Sequence, residues 1–123
     1  MDAQLLISVV DDDQSVRESL PDLLNELGFS AKAFASAEEF LVSGTCLQSS
    51  CLILDIALPR MSGPELLHEL RRRNMRSPVI FITGRRDEVV RSQMLRDGAI
   101  ACLFKPFSDT DLSRALDKAV TGQ

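Results

Sequence analysis

Short apolar runs alternate with segments of helical period along this chain, and four of the five runs stop at a chemically reactive side chain. That alternation constrains the fold more than any other feature. The first run, Leu5-Leu6-Ile7-Ser8-Val9-Val10, is largely apolar and β-branched toward its end, as a buried strand requires. It stops at Asp11-Asp12-Asp13. Two carboxylates roughly 4 Å apart repel by about 4 kcal/mol at an effective dielectric of about 20. Such a run calls for a cation, a proton or open solvent.

The following segment places Val16, Leu20, Leu23, Leu24 and Leu27 on one helical face, with Gly28 placed to close the helix. Pro21 lies inside it, well round from the apolar stripe, which puts any kink on the solvent side. Ser30 to Ala35 suits a less buried or edge strand. Ser36-Ala37-Glu38-Glu39 has capping-box spacing and opens a short helix to about Ser43, and Gly44 to Ser50 reads as loop. Cys51-Leu52-Ile53-Leu54 is a fully apolar strand stopping at Asp55.

Beyond Pro59, Ser62-Gly63-Pro64-Glu65 forms a second capping box, ahead of a stripe of Leu66, Leu67 and Leu70 and a basic end at Arg71-Arg72-Arg73. Pro78 to Ile82 is the next strand, stopping at Thr83-Gly84. A weaker helix from about Arg86 to Asp97 carries Val89, Val90, Met94 and Leu95 and closes at Gly98. Ile100 to Phe104 is the fifth strand, stopping at Lys105-Pro106. Ser108 caps a last helix that turns Leu112, Ala115, Leu116 and Ala119 inward.

Five strand–helix units with doubly apolar strands imply an α/β fold, a parallel sheet covered on both faces. Right-handed crossovers make it doubly wound. Ligands of such sheets bind beyond the carboxyl ends of the strands. Asp11, Asp12, Asp55, Thr83 and Lys105 then share one edge of the molecule. Carboxylates form a hard oxygen site suited to Mg²⁺, or to Mn²⁺, rather than to a soft metal. A lysine and a hydroxyl beside them complete what a transferring phosphoryl group needs. Each residue alone reads as an ordinary turn or capping residue; their joint placement at strand ends carries the inference.

The chain of 123 residues fits one domain, residues 1–123, with a single core. Its net charge of -4 disfavours non-specific nucleic-acid binding. Charge is uneven, however: residues 1–55 carry ten acids and two bases, residues 56–123 eight acids and twelve bases. Cys46, Cys51 and Cys102 have no metal-ligand spacing and are odd in number, the pattern of a reducing, cytoplasmic compartment. The first apolar run ends after six residues, so neither a signal peptide nor a membrane span is expected.

The ordered set Val-Val-Asp11-Asp12-Asp13, Leu-Ile-Leu-Asp55-Ile-Ala-Leu-Pro59-Arg-Met-Ser-Gly63, Ile-Phe-Ile-Thr83-Gly84 and Phe-Lys105-Pro106-Phe107 resembles the receiver domain of two-component response regulators. The Ser-Ala-Glu-Glu-Phe-Leu segment and the Lys-Pro-Phe ending are most similar to FixJ-type receivers, which precede a helix-turn-helix output domain. The resemblance implies a flavodoxin-like (βα)5 sheet with strand order 2-1-3-4-5. It implies a phosphorylation-activated switch that controls an output such as transcription, and not a turnover enzyme. Asp55 is the implied phosphoacceptor, served by a sensor histidine kinase. Asp12, Asp55 and the Ala57 backbone carbonyl are the implied direct ligands of Mg²⁺, with Asp11 acting through water. Lys105 is expected to pair with Asp55 and then with a phosphoryl oxygen, and Thr83 to turn its hydroxyl toward that group. The Lys105-Pro106 bond is expected to be cis. A homodimer through the fourth helix, fifth strand and fifth helix is implied, with DNA reached only through a separate output domain and no membrane partner.

One departure matters. The family usually carries Tyr or Phe three residues before the lysine as a rotating switch; this chain has Cys102 there, with Phe104 two positions on and of the same face parity. Asp13 is assigned to the start of the first helix, and His68 to the surface. Two other readings compete. A haloacid-dehalogenase-like phosphatase would use Asp11-x-Asp13 but leaves Asp55 and its loop unexplained. A degenerate receiver, acting only as an interaction module, is disfavoured because all five pocket residues are present. The first turn has no glycine-rich cradle for a dinucleotide.

Overall fold

A computed structural model describes residues 4–121; the outermost residues of the expected 1–123 domain lie outside that range. Five strands, β1 (Leu6–Val10), β2 (Ser30–Phe34), β3 (Cys51–Asp55), β4 (Val79–Thr83) and β5 (Ala101–Phe104), alternate with five helices. These are α1 (Gln14–Glu26), α2 (Ala37–Ser43), α3 (Gly63–Arg72), α4 (Glu88–Arg96) and α5 (Asp109–Thr121). All pairings are parallel, and the sheet order is β2-β1-β3-β4-β5. This is the doubly wound sheet read from the strand–helix alternation, in the flavodoxin-like order that the family resemblance implies.

Alternation along the strands divides the core in two. Val10, Leu52, Leu54, Val79, Phe81 and Cys102 pack beneath α2, α3 and α4 with Phe40, Leu66, Leu70 and Met94. Ile7, Val9, Ile53, Ile80, Ile82 and Leu103 face α1 and α5, meeting Leu20, Leu24, Leu112 and Leu116. β3 and β4 are buried along their whole length, whereas the edge strand β2 is mostly half-exposed. The three cysteines are buried and free, the behaviour of small apolar side chains.

The helices start where capping chemistry allows. Asp13 caps α1, its carboxylate accepting the Ser15 N–H at 2.9 Å, and the helix runs unbroken through half-buried Pro21. Ser62 and Glu65 form a reciprocal capping box at α3. Several boundaries differ from the sequence expectation. α4 begins at Glu88 rather than near Arg86, because the Asp87 carboxylate accepts from the N–H groups of Val89 and Val90 and leaves Arg85 and Arg86 in the preceding loop. The expected loop from Gly44 to Ser50 contains a single 3-10 turn, Thr45–Leu47, which tucks Cys46 into the core. A buried hydroxyl pair, Ser8 Oγ to Ser49 Oγ at 2.7 Å, ties that segment to the sheet. Asp55 and Thr83 are the last members of their strands, paired with Ile82 and Phe104, rather than the first residues beyond them.

Gly63 shows how tightly the β3–α3 connection is seated. A Cβ there would collide with the Asp55 backbone carbonyl and press on the Phe81 ring. Gly84, in contrast, has open space at the equivalent position. Gly63→Ala is therefore expected to lower stability by about 1–3 kcal/mol. Gly84→Ala should stay within about 0.5 kcal/mol. Urea unfolding of the two variants checks the difference.

Candidate functional site

The carboxyl ends of β1, β3, β4 and β5 open on one edge of the sheet. Asp11 follows β1 and is fully buried; Asp12 beside it is exposed; Asp55 closes β3 at 7 % exposure. Each offers a carboxylate oxygen, and the three oxygens lie within 4.8 Å of one another. Thr83 closes β4, and Lys105 follows β5. Register carries them there: β1 pairs β3, β3 pairs β4 and β4 pairs β5 in the same direction. Asp13 sits apart on the α1 cap, and His68 is exposed on α3.

Lys105 is the cation of the cluster. Its Nζ donates to Asp11 Oδ2 at 2.8 Å and lies 3.8 Å from Asp55 Oδ2. The expected pairing was with Asp55; the shorter contact is with Asp11, the acid fully withdrawn from solvent. The other Asp11 oxygen, Oδ1, accepts the Asp13 N–H at 2.9 Å. Asp55 Oδ1 accepts the N–H of exposed Ala57 at 3.3 Å. Burial opposes the Lys105 charge, but the hydrogen bond to Asp11 and the charge of Asp55 outweigh it and hold its pKa above the usual lysine value. Asp55 is pushed above the usual carboxylate value, first by burial and then by the charge of Asp11, with Lys105 and the Ala57 N–H only partly offsetting them.

Three carboxylates and one ammonium leave a formal charge of -2 (3 negative, 1 positive) in a cluster whose donors are all hard oxygens. The donor set fits a divalent cation such as Mg²⁺ or Mn²⁺. Thr83 Oγ1 accepts the Arg85 N–H at 3.1 Å, and the Lys105 N–H donates to the Thr83 carbonyl at 2.8 Å. The Lys105–Pro106 peptide is cis.

Comparison with known proteins decides the family. The response regulator receiver domain family matches residues 7–117. The chain belongs to the response regulator receiver family. It is 41 % identical over 111 residues to nodulation protein W of Bradyrhizobium diazoefficiens, covering 90 % of this chain and 49 % of that protein. It is 36 % identical over 113 residues to the transcriptional regulatory protein FixJ of Rhizobium meliloti, covering 92 % and 55 %. The crystal structure of FixJ-N superposes with a TM-score of 0.87 at 34 % identity, covering 99 % of this chain and 98 % of that one. This receiver thus spans about half the length of the curated relatives it matches. Receivers of response regulators serve phosphorylation-dependent signalling and are not turnover enzymes. Among the described residues no helix is long and apolar enough to cross a membrane.

Beyond the cluster, the fifth strand holds Cys102 where the sequence resemblance implies an aromatic residue. Cys102 is buried at 2 % exposure beneath α4, and Phe104 is paired in register with Thr83. Two arginines flank the Phe104 ring, Arg91 with its guanidinium carbon 4.4 Å from the centroid and Arg86 at 5.1 Å. Arg91 Nε also donates to the Cys102 carbonyl at 3.0 Å. Sequence reasoning singled out neither arginine: Arg91 is 11 residues from Cys102, and no local pattern announces the contact. Arg17, whose Nη1 donates to the Asp11 carbonyl at 3.0 Å, was missed for the same reason.

The raised pKa of Asp55 has a consequence for stability. A carboxyl whose folded pKa lies above its unfolded value favours the fold below the unfolded pKa, and that contribution is lost as pH rises through the folded pKa. Near neutral pH the ionised Asp55 therefore destabilises the domain. Asp55→Asn should raise the melting temperature near neutral pH. The advantage should shrink on acidification, as Asp55 in the parent protein takes up its proton; calorimetry across pH 4–7 measures both effects (range set by the ordinary carboxylate values, about 4, and neutrality).

Proposed function

We propose that this receiver is a phosphorylation-activated switch that accepts a phosphoryl group on Asp55 from a sensor histidine kinase. The observation that carries the reading is the convergence of Asp11, Asp12, Asp55 and Lys105, with Thr83 on the neighbouring strand end. Asp12, Asp55 and the Ala57 carbonyl would hold Mg²⁺, with Asp11 supporting it through water. When bound, the ion supplies positive charge to the transferring phosphoryl oxygens.

The chain's own groups account for the transfer. One Asp55 carboxylate oxygen attacks phosphorus, and the new O–P bond forms as the P–N bond of the kinase phosphohistidine breaks. The bonding pair returns to the ring nitrogen, and the proton already on the other nitrogen leaves a neutral imidazole. Lys105 stands 3.8 Å from Asp55, close enough to meet a phosphoryl oxygen after modest rotation of its side chain. A groove of about 600 Å³ beside it, lined by Val16, Leu20, Leu23 and Phe107 with polar Ser19 and Asp109, would be the surface on which the kinase docks.

Activation would follow as a shift between two populations. Turning the Thr83 hydroxyl toward the phosphoryl group would disturb the Arg85 N–H bond that it now accepts. Arg85 adjoins Arg86, and Arg86 and Arg91 clasp Phe104, the register partner of Thr83. Phe104 with Arg91 would thus carry the signal that an aromatic residue at position 102 carries elsewhere in the family. The receiving surface is the α4–β5–α5 face. Arg86, Arg91, Arg114 and Lys118 line a groove of about 350 Å³ there with Asp111. A twofold dimer could pair these bases with the acids of the same face. DNA binding would belong to a separate output domain.

Incubation with Mg²⁺ and acetyl phosphate should add one phosphate, detected by mass spectrometry and absent in Asp55→Asn. Labelling that survives in that variant, or moves to Asp11, removes the reading. Phe104→Leu and Arg91→Ala should keep labelling within about twofold yet weaken phosphorylation-driven self-association by about fivefold or more, the low end of usual coupling energies. Cys102→Tyr should likewise change self-association more than labelling. Equal changes in both quantities, followed by mass and by sedimentation, would discard this route.

A further inference from the structure

Arg60 is a non-glycine residue at positive φ, 61°. That conformation persists only where neighbours over-determine it, so the contacts around it are informative. Arg60 lies in the connection between β3 and α3, which leaves the sheet at Asp55 and enters the helix at Gly63. Both ends of this connection are tied down. The Ile56 N–H donates to the Ile82 carbonyl at 3.1 Å, and the Gly63 N–H to the Ile56 carbonyl at 3.0 Å. The middle is anchored on the apolar side by buried Leu58.

The polar anchor of the middle comes from another element. Glu38, in the first turn of α2, accepts the Met61 N–H on Oε2 at 3.2 Å, across 23 residues of sequence. Its Oε1 lies 3.6 Å from Arg60 Nη2. That oxygen is shielded from solvent and accepts no hydrogen bond among the described residues, which leaves the guanidinium as its charge partner. One carboxylate thus grips the side chain of the strained residue and the backbone of the next. Its own backbone N–H first, then the Met61 N–H and the Arg60 charge, hold its pKa below the usual value.

We infer that Glu38 is a positioning residue for the phosphoacceptor loop. By holding Arg60 and Met61 it sets the backbone that presents the Ala57 carbonyl to the divalent cation beside Asp55. This inference rests on the reading of the site as a Mg²⁺-dependent phosphoacceptor and extends it to a residue outside the cluster.

The test is a Mg²⁺ titration followed through the backbone amide resonances of Asp12 and Ala57, whose spectrum also reports folding. Glu38→Ala should weaken Mg²⁺ binding by about threefold to tenfold, at or below the usual effect of removing a residue that orients a metal ligand. Adding Arg60→Gly to that variant should restore affinity to within about twofold, because glycine adopts positive φ without help. Unchanged affinity in Glu38→Ala overturns the inference. Weakened affinity that Arg60→Gly does not restore overturns it equally, since Glu38 would then act by supporting α2. If the unsubstituted protein neither binds Mg²⁺ nor labels at Asp55, the underlying reading falls instead.

Discussion

The contact between Lys105 and the buried Asp11 is the interaction on which the rest of the site depends. It joins residues 94 positions apart and closes the molecule from its first strand to its last. A fully buried carboxylate is costly unless both of its oxygens find donors. Asp11 meets that demand with the Lys105 ammonium on one oxygen and the Asp13 N–H on the other. Because Lys105 is thereby committed at 2.8 Å to Asp11, it reaches Asp55 only at 3.8 Å. The lysine neutralises one of three charges. What remains is a negative pocket in which burial first, and then the charge of Asp11, raise the pKa of Asp55.

That electrostatic tension gives the domain something to release. A protein whose ground state already balanced its charges would gain little from phosphorylation. Here the carboxylates carry more negative charge than Lys105 neutralises, a demand that a divalent cation would meet under the proposed reading. Under that reading the responding group is the Thr83 hydroxyl, which accepts the Arg85 N–H at 3.1 Å. Its register partner on β5, Phe104, has two guanidinium groups near its ring, Arg91 at 4.4 Å and Arg86 at 5.1 Å from the centroid. A cation over an aromatic face is favourable by about 0.5–2 kcal/mol, a range in which modest motion can shift a population.

Around this charged edge, the scaffold is ordinary and rigid. β3 and β4 are buried throughout, and Gly63 lets α3 approach the Asp55 carbonyl more closely than any side chain would permit. Rigidity of the sheet keeps the carboxylates close together against their repulsion. The β3–α3 connection is less uniform, with a left-handed Arg60 held by a carboxylate from α2.

By itself the sequence determined the five strand–helix units, the covered parallel sheet and the strand-end identity of Asp11, Asp55, Thr83 and Lys105. Those features follow from local periodicity and from residues adjacent in the chain, such as the caps at Asp13, Ser36 and Ser62. Boundaries shifted where two local signals competed, as when Asp87 took the cap of α4 and left Arg86 outside. Only the tertiary structure decided which acid Lys105 holds most closely, that Arg91 reaches the Cys102 carbonyl and covers Phe104, and that Glu38 clasps Arg60 and Met61. Each of these contacts joins residues 11 to 94 positions apart, and their distances depend on how whole elements pack. Periodicity places a side chain on a face; it carries no information about which distant partner that face will meet.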